Sequence, residues 1–475
     1  MQYNIKKIVL VNPPMRLEQA YSSWKGWAGH SPPTGLCYVS SLLRKNGYDV
    51  SIVDAEALGL GAETAAQEIL KLKPQIVGIT AKTLWVVNAH HVARALKEKA
   101  PEIPIVAGGN HVTALPERTL KEFPCFDIVV IGEGEITFPE LVKALAQGRG
   151  LSGVAGLAFR DKDNICLTGH RGRIRNLDEL PPPSWDLIPD IPTYYRPWLT
   201  SVKKLPAFSL ITSRGCPSQC TFCDRSVFGN YIASHSPEYI AAMIKELSSK
   251  YSIRYIMFDD DNLLLNKERL FRLFELLKEC NLRMPFSCQS RVDTIDEEML
   301  TRLKEAGCRQ IQFGIESGSQ KILDAMKKNI TLEQIHRAIT MTRKKGIDAM
   351  GFFILGYPGE TEETLQDTLK LIKKCGFFDI GIAFFTPLPG STIYQNISEY
   401  GAYKEDWEKM NSLDPGYFVP YGLTAEILKD YSNRCYKACY SKAWQILTYY
   451  KRFTTFTHFK AFVKPLAKAS FGRGI

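Results

Sequence analysis

The sequence predicts two α/β domains in succession. A doubly wound, Rossmann-like parallel sheet occupies residues 1–150, a partial (β/α)6 barrel of the TIM type occupies 205–395, and a helical C-terminal tail follows over 396–475. Three observations predict this. Short apolar, β-branched runs alternate with amphipathic helical patterns, as in a parallel sheet covered on both faces. The proline-rich stretch Leu180-Pro181-Pro182-Pro183 breaks the alternation once, leaving two series. The polar and glycine-rich motifs fall just after strands, where the ligand crevice of such sheets lies.

In the first series the strands are Ile8–Val11, Val50–Val53, Ile76–Thr80, Ile103–Ala107 and Ile128–Ile131. Helical patterns span Cys37–Asn46, Glu63–Leu72, Asn88–Lys99, Pro116–Phe123 and Phe138–Ala146. The residues after each strand are the expected ligand contacts: Asn12-Pro13-Pro14, Asp54, Thr80, Gly108-Gly109-Asn110-His111 and Gly132-Glu133-Gly134-Glu135. Glycine there lets backbone approach a ligand closely. Residues 151–204 read as a linker with a small hairpin, Gly156–Arg160 against Ile165–Thr168. The second series has strands at Ser209–Ser213, Tyr255–Phe258, Phe286–Gln289, Gln310–Ile315, Ala349–Leu355 and Ile380–Thr386. Its helices are Pro237–Ser249, Lys267–Cys280, Glu297–Ala306, Leu332–Lys345 and Glu362–Lys374.

Composition narrows the classes. No apolar run reaches 18 residues, so a spanning helix is not expected. The apolar run Ile8–Val11 is too short for a signal-peptide core, which makes a cytoplasmic protein the plain expectation. Twelve cysteines in a reducing compartment are not a disulfide framework. Nine are scattered, Cys435 and Cys439 among them, and read as small buried hydrophobes. The net charge of +10 is concentrated at the end: from residue 431 onward there are nine Lys or Arg and no Asp or Glu. That is not the pattern of a nucleic-acid binder. Basic and aromatic residues interleave there (Trp444, Tyr449, Lys451, Arg452, Phe456, Lys460). A helical cap on the barrel mouth is the plain reading. The sharper one is peripheral contact with an anionic membrane, which goes with a hydrophobic or lipid-linked substrate.

The strongest signal is Cys216-Pro217-Ser218-Gln219-Cys220-Thr221-Phe222-Cys223, directly after the first strand of the second series. Three thiolates at C-x3-C-x2-C spacing can reach three irons of a cubane from one loop, leaving the fourth iron open. The rival is tetrahedral zinc, which needs a fourth Cys or His; His235 is the nearest downstream and lacks zinc-like spacing.

This motif, with Phe222 in its aromatic place and Ser213-Arg214-Gly215 as its lead-in, resembles the signature of the radical S-adenosylmethionine (SAM) superfamily. The resemblance implies a [4Fe–4S] cluster on Cys216, Cys220 and Cys223, with SAM chelating the open iron and an electron donor of flavodoxin or ferredoxin type. Reductive cleavage of SAM would give a 5′-deoxyadenosyl radical. Further matches follow in order: Asp259, Asp260 and Asp261 for the SAM amino group, Arg291 for its carboxylate, and Glu316 with Ser317 for the ribose. Gly356-Tyr357-Pro358-Gly359-Glu360-Thr361 resembles the turn near the adenine, with Thr361 as a helix N-cap. The first domain resembles the cobalamin-binding domain fused to many of these enzymes, through Asn12-Pro13-Pro14, Gly108-Gly109, His111 and Gly132-Glu133-Gly134-Glu135. The Asp-x-His-x-x-Gly signature is absent; Asp54-Ala55-Glu56-Ala57-Leu58-Gly59 carries Glu in the His place. An axial His is therefore not expected, and His111 is assigned to the cofactor's tail. The alternative is a degenerate flavodoxin-like domain that binds nothing.

The implied function is methyl transfer, through methylcobalamin, to an unactivated carbon or phosphorus of a small-molecule or lipid-like substrate. The alternatives are a radical enzyme that transfers no methyl group, such as an oxidative cyclase, and a non-catalytic cobalamin or redox sensor.

Overall fold

The computed structural model describes residues 5–15, 29–198 and 201–440. Its first sheet contains β1 (Lys7–Asn12), β2 (Asp49–Asp54), β3 (Ile76–Thr80), β4 (Ile105–Gly108) and β5 (Ile128–Val130), parallel in the order β2-β1-β3-β4-β5. The order reverses between β1 and β3, which makes that edge the crevice of the doubly wound sheet. Helices α1 (Thr34–Lys45), α2 (Ala62–Lys71), α3 (Val86–Lys99), α4 (Asn110–Ala114), α5 (Pro116–Glu122) and α6 (Gly134–Ala146) connect the strands. Burial on both faces explains the unbroken apolar strands. From β1, Val9 and Val11 meet the alanine-rich inner faces of α2 and α3, while Ile8 and Leu10 join a core that continues into the second domain.

The hairpin, β6 (Leu157–Asp161) and β7 (Asn164–Leu167), is not free-standing. It pairs antiparallel with β5 and extends the sheet to seven strands. Nor is the rest of the expected linker loose. Leu177, Leu180, Trp185, Ile188, Ile191 and Tyr195 are buried, and the Trp185 ring stands edge-on to Phe208 at 5.1 Å. Proline-rich composition conceals these anchors, because a few well-spaced aromatic and aliphatic residues are enough to pin an irregular segment.

The second sheet has six parallel strands in the order β15-β14-β13-β12-β11-β8, the open arc of a partial barrel. They are β8 (Ala207–Leu210), β11 (Tyr255–Phe258), β12 (Phe286–Ser290), β13 (Cys308–Glu316), β14 (Asp348–Leu355) and β15 (Asp379–Phe384). A two-stranded ribbon, β9 (Ser213–Arg214) with β10 (Ala233–Ser234), brackets the cysteine loop. The covering helices are α7 (Pro237–Tyr251), α8 (Lys267–Glu279), α9 (Glu297–Ala306), α10 (Gln320–Ala325), α11 (Leu332–Lys344) and α12 (Glu362–Cys375). Their starts are written locally: Ser236, Asn266, Asp296, Thr331 and Thr361 each accept a backbone N–H at the N-cap. A short pair, β16 (Gly401–Tyr403) and β17 (Phe418–Pro420), leads to α13 (Ala425–Tyr440), which packs on α12. Cys435 and Cys439 are buried one turn apart on α13. All twelve cysteines are free. The basic and aromatic residues from Trp444 onward lie outside the described residues. Among the described residues no helix is long and apolar enough to cross a membrane.

One buried carboxylate ties these parts together. Asp54, at the end of β2, accepts from Tyr195 Oη (2.6 Å), Asn12 Nδ2 (2.9 Å) and the Ala57 N–H (3.0 Å). Burial raises its pKa and these three bonds oppose the rise. Asp54 therefore fastens the segment after the hairpin to the sheet. Replacing Tyr195 with Phe leaves a buried acceptor unsatisfied and is expected to cost about 1–3 kcal/mol. Urea denaturation monitored by tryptophan fluorescence checks this, and an unchanged midpoint would contradict it.

Candidate active site

The cysteine loop leaves β8 through residues held by Asp260. This carboxylate is fully buried and accepts from the Thr212 N–H (3.1 Å), Thr212 Oγ1 (2.8 Å) and Ser213 Oγ, with Arg269 as a nearby countercharge. Its acceptors are thus spent on the loop's root, not aimed at a ligand. Gly215 has φ +82°, and a Cβ there would lie 2.1 Å from the Tyr231 carbonyl oxygen, so only glycine fits before Cys216. Further along, the Thr221 N–H donates to the Met326 carbonyl (3.0 Å) and the Ile393 N–H donates to the Thr221 carbonyl (3.3 Å). Tyr357, expected near an adenine, is buried with its Oη 2.7 Å from Thr221 Oγ1 and donating to the Ala325 carbonyl (3.2 Å). Its side chain props the loop. Phe222 packs against the small apolar cluster that contains Tyr357, Met326 and Phe385.

The ends of the barrel strands surround the loop. Asp259 accepts from Gln289 Nε2 (3.2 Å), and burial pushes its carboxyl up to about 6. Asp261 and Cys223 are both exposed at the loop, and the Asp261 carboxylate lies close enough to interact with the Cys223 sulfur. Burial also raises the Cys220 thiol, while Lys328 and Arg291 oppose the rise. Arg291 is held by Asp293 and donates to the Lys328 carbonyl (2.8 Å). Glu316 ends β13 with φ +69°, a strained conformation costing on the order of 1–3 kcal/mol for a non-glycine residue. It is held there by Lys328, whose Nζ lies 2.7 Å from Glu316 Oε1 in a pair almost shut off from solvent. A Cβ on Gly314 would lie 2.6 Å from that same oxygen, so the glycine makes room for the pair. Ser317 is fully buried against Thr368, and Gly318 donates to Thr368 Oγ1 (2.9 Å). Gly356 turns at φ +80° and donates to the buried Glu360.

The carboxyl edge of the first sheet faces this loop. Gly108 and Gly132 stand beside open space: a Cβ on either would meet nothing within 4 Å. Pro13 is buried and Thr80 half-buried along the same edge, and Gly134 opens α6. A Cβ on Gly109, which has φ +118°, would press on the Ala81 carbonyl at 2.9 Å. Glu133 and Glu135, expected at a cofactor, turn instead to the cysteine loop. Arg214 Nη1 donates to Glu133 Oε1 (2.8 Å) and Nη2 to Glu135 Oε1 (2.6 Å). Asn110 donates to Asp224 Oδ2 (3.1 Å), one residue past Cys223. His111 also departs from expectation. It is fully buried under Trp407 (ring centroids 4.9 Å apart) and beside Phe123, neither ring nitrogen has a hydrogen-bond partner, and burial lowers its pKa to about 4. The ring belongs to a packing seam between the first domain and the segment after the barrel, not to the open edge. His235, the rival zinc ligand, has both nitrogens engaged: Nδ1 lies 3.0 Å from Asp178 and Nε2 2.8 Å from Tyr38 Oη.

Lys328, Arg214 as a partner of the glutamates, and the Asn110–Asp224 contact were not foreseen from sequence. Arg214 stood in the lead-in motif, but nothing local marks Lys328.

Comparison with known proteins identifies the family. The model of the radical SAM superfamily matches residues 210–372, and that of the B12 binding domain matches 27–142. The uncharacterized methyltransferase PH0819 of Pyrococcus horikoshii is 38% identical over 430 residues, covering 90% of each chain. This chain belongs to the cobalamin-binding radical SAM enzymes. The anaerobic magnesium-protoporphyrin IX monomethyl ester cyclase of Rubrivivax gelatinosus is 31% identical, over 82% of this chain and 70% of that one. The solved structure of the radical SAM methyltransferase TsrM from Kitasatospora setae, with cobalamin and a [4Fe–4S] cluster bound, shares the fold (TM-score 0.66, 19% identity, 84% of this chain and 75% of that chain).

The residues of this radical SAM enzyme fit its cofactors. Three free thiols stand on one glycine-braced loop with Lys328 and Arg291 nearby, and a cubane with one open iron would take three such donors. The open glycine edge at Gly108 and Gly132 suits the broad face of a cobalamin. His111 and His235 are committed elsewhere, in keeping with the missing axial-His signature.

Two outcomes follow. Gly215→Ala forces a Cβ onto the Tyr231 carbonyl, and the purified protein is expected to lose most of its iron after anaerobic reconstitution; normal iron content would contradict the bracing role. Asp259 holds its proton more tightly folded (about 6) than unfolded (3.8), so its contribution to stability is complete below about pH 4 and is lost as pH rises through 6. In denaturation series across this range, Asp259→Asn is expected to lose less stability with rising pH than the wild type.

Proposed function

We propose that this enzyme transfers a methyl group to an unactivated carbon or phosphorus of a small, largely apolar substrate. The observation that carries the proposal is the meeting of two edges: the open glycine crest of the B12-binding domain faces the cysteine loop and is joined to it by Arg214 and Asn110. When bound, the cluster supplies the electron that cleaves SAM, and cobalamin supplies the methyl carrier. The protein's own part is to orient and to exclude water. Asp261 beside Cys223 suits the SAM ammonium, and Arg291 with Lys328 suits its carboxylate. Glu316 suits the ribose hydroxyls, with Lys328 as the latch that keeps it at the strand end. Ser317, Asp260 and Tyr357 hold these groups in place from behind. The half-buried Phe352, Ile354 and Ala383 of β14 and β15 offer an apolar wall for the substrate. The methyltransferase at 38% identity supports this reading, and the cyclase at 31% supports the alternative in which no methyl moves.

The deciding experiment incubates the reconstituted enzyme with SAM, hydroxocobalamin and a low-potential reductant. Formation of both 5′-deoxyadenosine and S-adenosylhomocysteine, the latter only when cobalamin is present, is the expected result. Deoxyadenosine without S-adenosylhomocysteine would sink methyl transfer in favour of a cyclase-type reaction.

A further inference from the structure

The Arg214 guanidinium sits two residues before Cys216, yet both of its charged partners come from the first domain; on its own side the Phe228 ring lies near it, at 6.0 Å. Glu133 and Glu135 take its two terminal nitrogens, and the Tyr38 ring of α1 lies against it at 5.3 Å. All three charged side chains are nearly shut off from solvent, at 11%, 8% and 6% exposure. Glu133 is itself fixed, since its second oxygen accepts from the Ile174 N–H (2.8 Å). At the far end of the loop, Asn110 of the first domain donates to Asp224, and Ser226 Oγ donates back to the Asn110 carbonyl (3.4 Å). The glycine crest that carries Asn110 and Glu133 therefore grips the cysteine loop immediately before its first thiol and immediately after its last.

Such a buried fork is a poor source of net stability, because desolvating the charges offsets most of their attraction. What it does supply is direction: two N–H···O bonds from a planar guanidinium to two separate carboxylates fix an angle as well as a distance. We infer that Glu133, Glu135 and Asn110 are positioning residues for the cluster, which set its separation and orientation relative to cobalamin from the cobalamin side. The two carboxylates act through Arg214 and Asn110 acts through Asp224; none of them has to touch either cofactor. The inference rests on both cofactors occupying the sites described above.

The test is magnetic. In holoenzyme holding reduced cluster and cob(II)alamin, the cluster speeds the electron-spin relaxation of cob(II)alamin by an amount that falls steeply with their separation. Wild type is compared with the Glu133→Gln/Glu135→Gln double variant, Arg214→Lys and Asn110→Ala. The expected result is unchanged iron and cobalt content with a displaced or broadened relaxation enhancement, largest in the double variant and smallest in Asn110→Ala. A purely structural role would lower the melting temperature and leave the enhancement where it was. Full cofactor content with relaxation superimposable on wild type would overturn the inference. If the double variant does not fold, Arg214→Lys and Asn110→Ala decide, and unchanged relaxation in both overturns it. Wild-type protein that takes up iron but no cobalt would refute the cofactor assignment itself.

Discussion

A loop with no regular structure of its own has to hold three sulfur atoms still. Most of the polar architecture near the site answers that requirement. Asp260 fixes the loop's root through Thr212 and Ser213, and Gly215 lets the chain pass under the Tyr231 carbonyl. Thr221 is caught between Tyr357 and Met326, and the first domain takes hold at Arg214 and Asp224. A single α/β domain cannot supply these contacts alone. The barrel strand ends form one side of the enclosure, and the first sheet's crest has to form the other.

Seen this way, conspicuous polar residues divide by the partner they already have. Asp54, Asp260, Glu133, Glu135 and Ser317 all follow strands, where ligand contacts belong, but their hydrogen bonds are made within the protein. What remains open is backbone at Gly108 and Gly132 and the exposed Asp261, while the cations near the thiols, Arg291 and Lys328, are paired with Asp293 and Glu316. The division suits the chemistry: glycine and bare backbone would admit a large planar cofactor, and charged side chains would suit a zwitterionic one.

Much of the fold was legible in the sequence because burial on both faces writes an unbroken β-branched run into each strand, and an N-cap such as Thr361 marks where a helix begins. The cysteines were legible because their spacing is itself the chemistry. What escaped notice depends on distant partners. The hairpin β6–β7 was visible as a hairpin, but its attachment to β5 is edge pairing, which no local periodicity encodes. Residues 151–204 looked like a linker because proline dominates the composition, whereas Trp185 and Tyr195 decide the packing. Glu133 and Glu135 stood out as a motif, yet their partner Arg214 lies in the other domain. Lys328 sits in an ordinary Lys-Lys-Asn turn, and only the tertiary fold brings it onto Glu316.

The seam at His111 bears on how the chain is made. The face of the first domain around His111 and Phe123 is covered by Trp407, and Arg118 on α5 is clasped by Glu405. Domains tend to fold in the order in which they leave the ribosome. During synthesis the first domain would therefore emerge with this apolar face bare, and it would stay bare until the entire barrel had followed. A first domain expressed by itself would carry a sticky, half-built surface, and the strap around Trp407 acts as the clasp that closes the molecule.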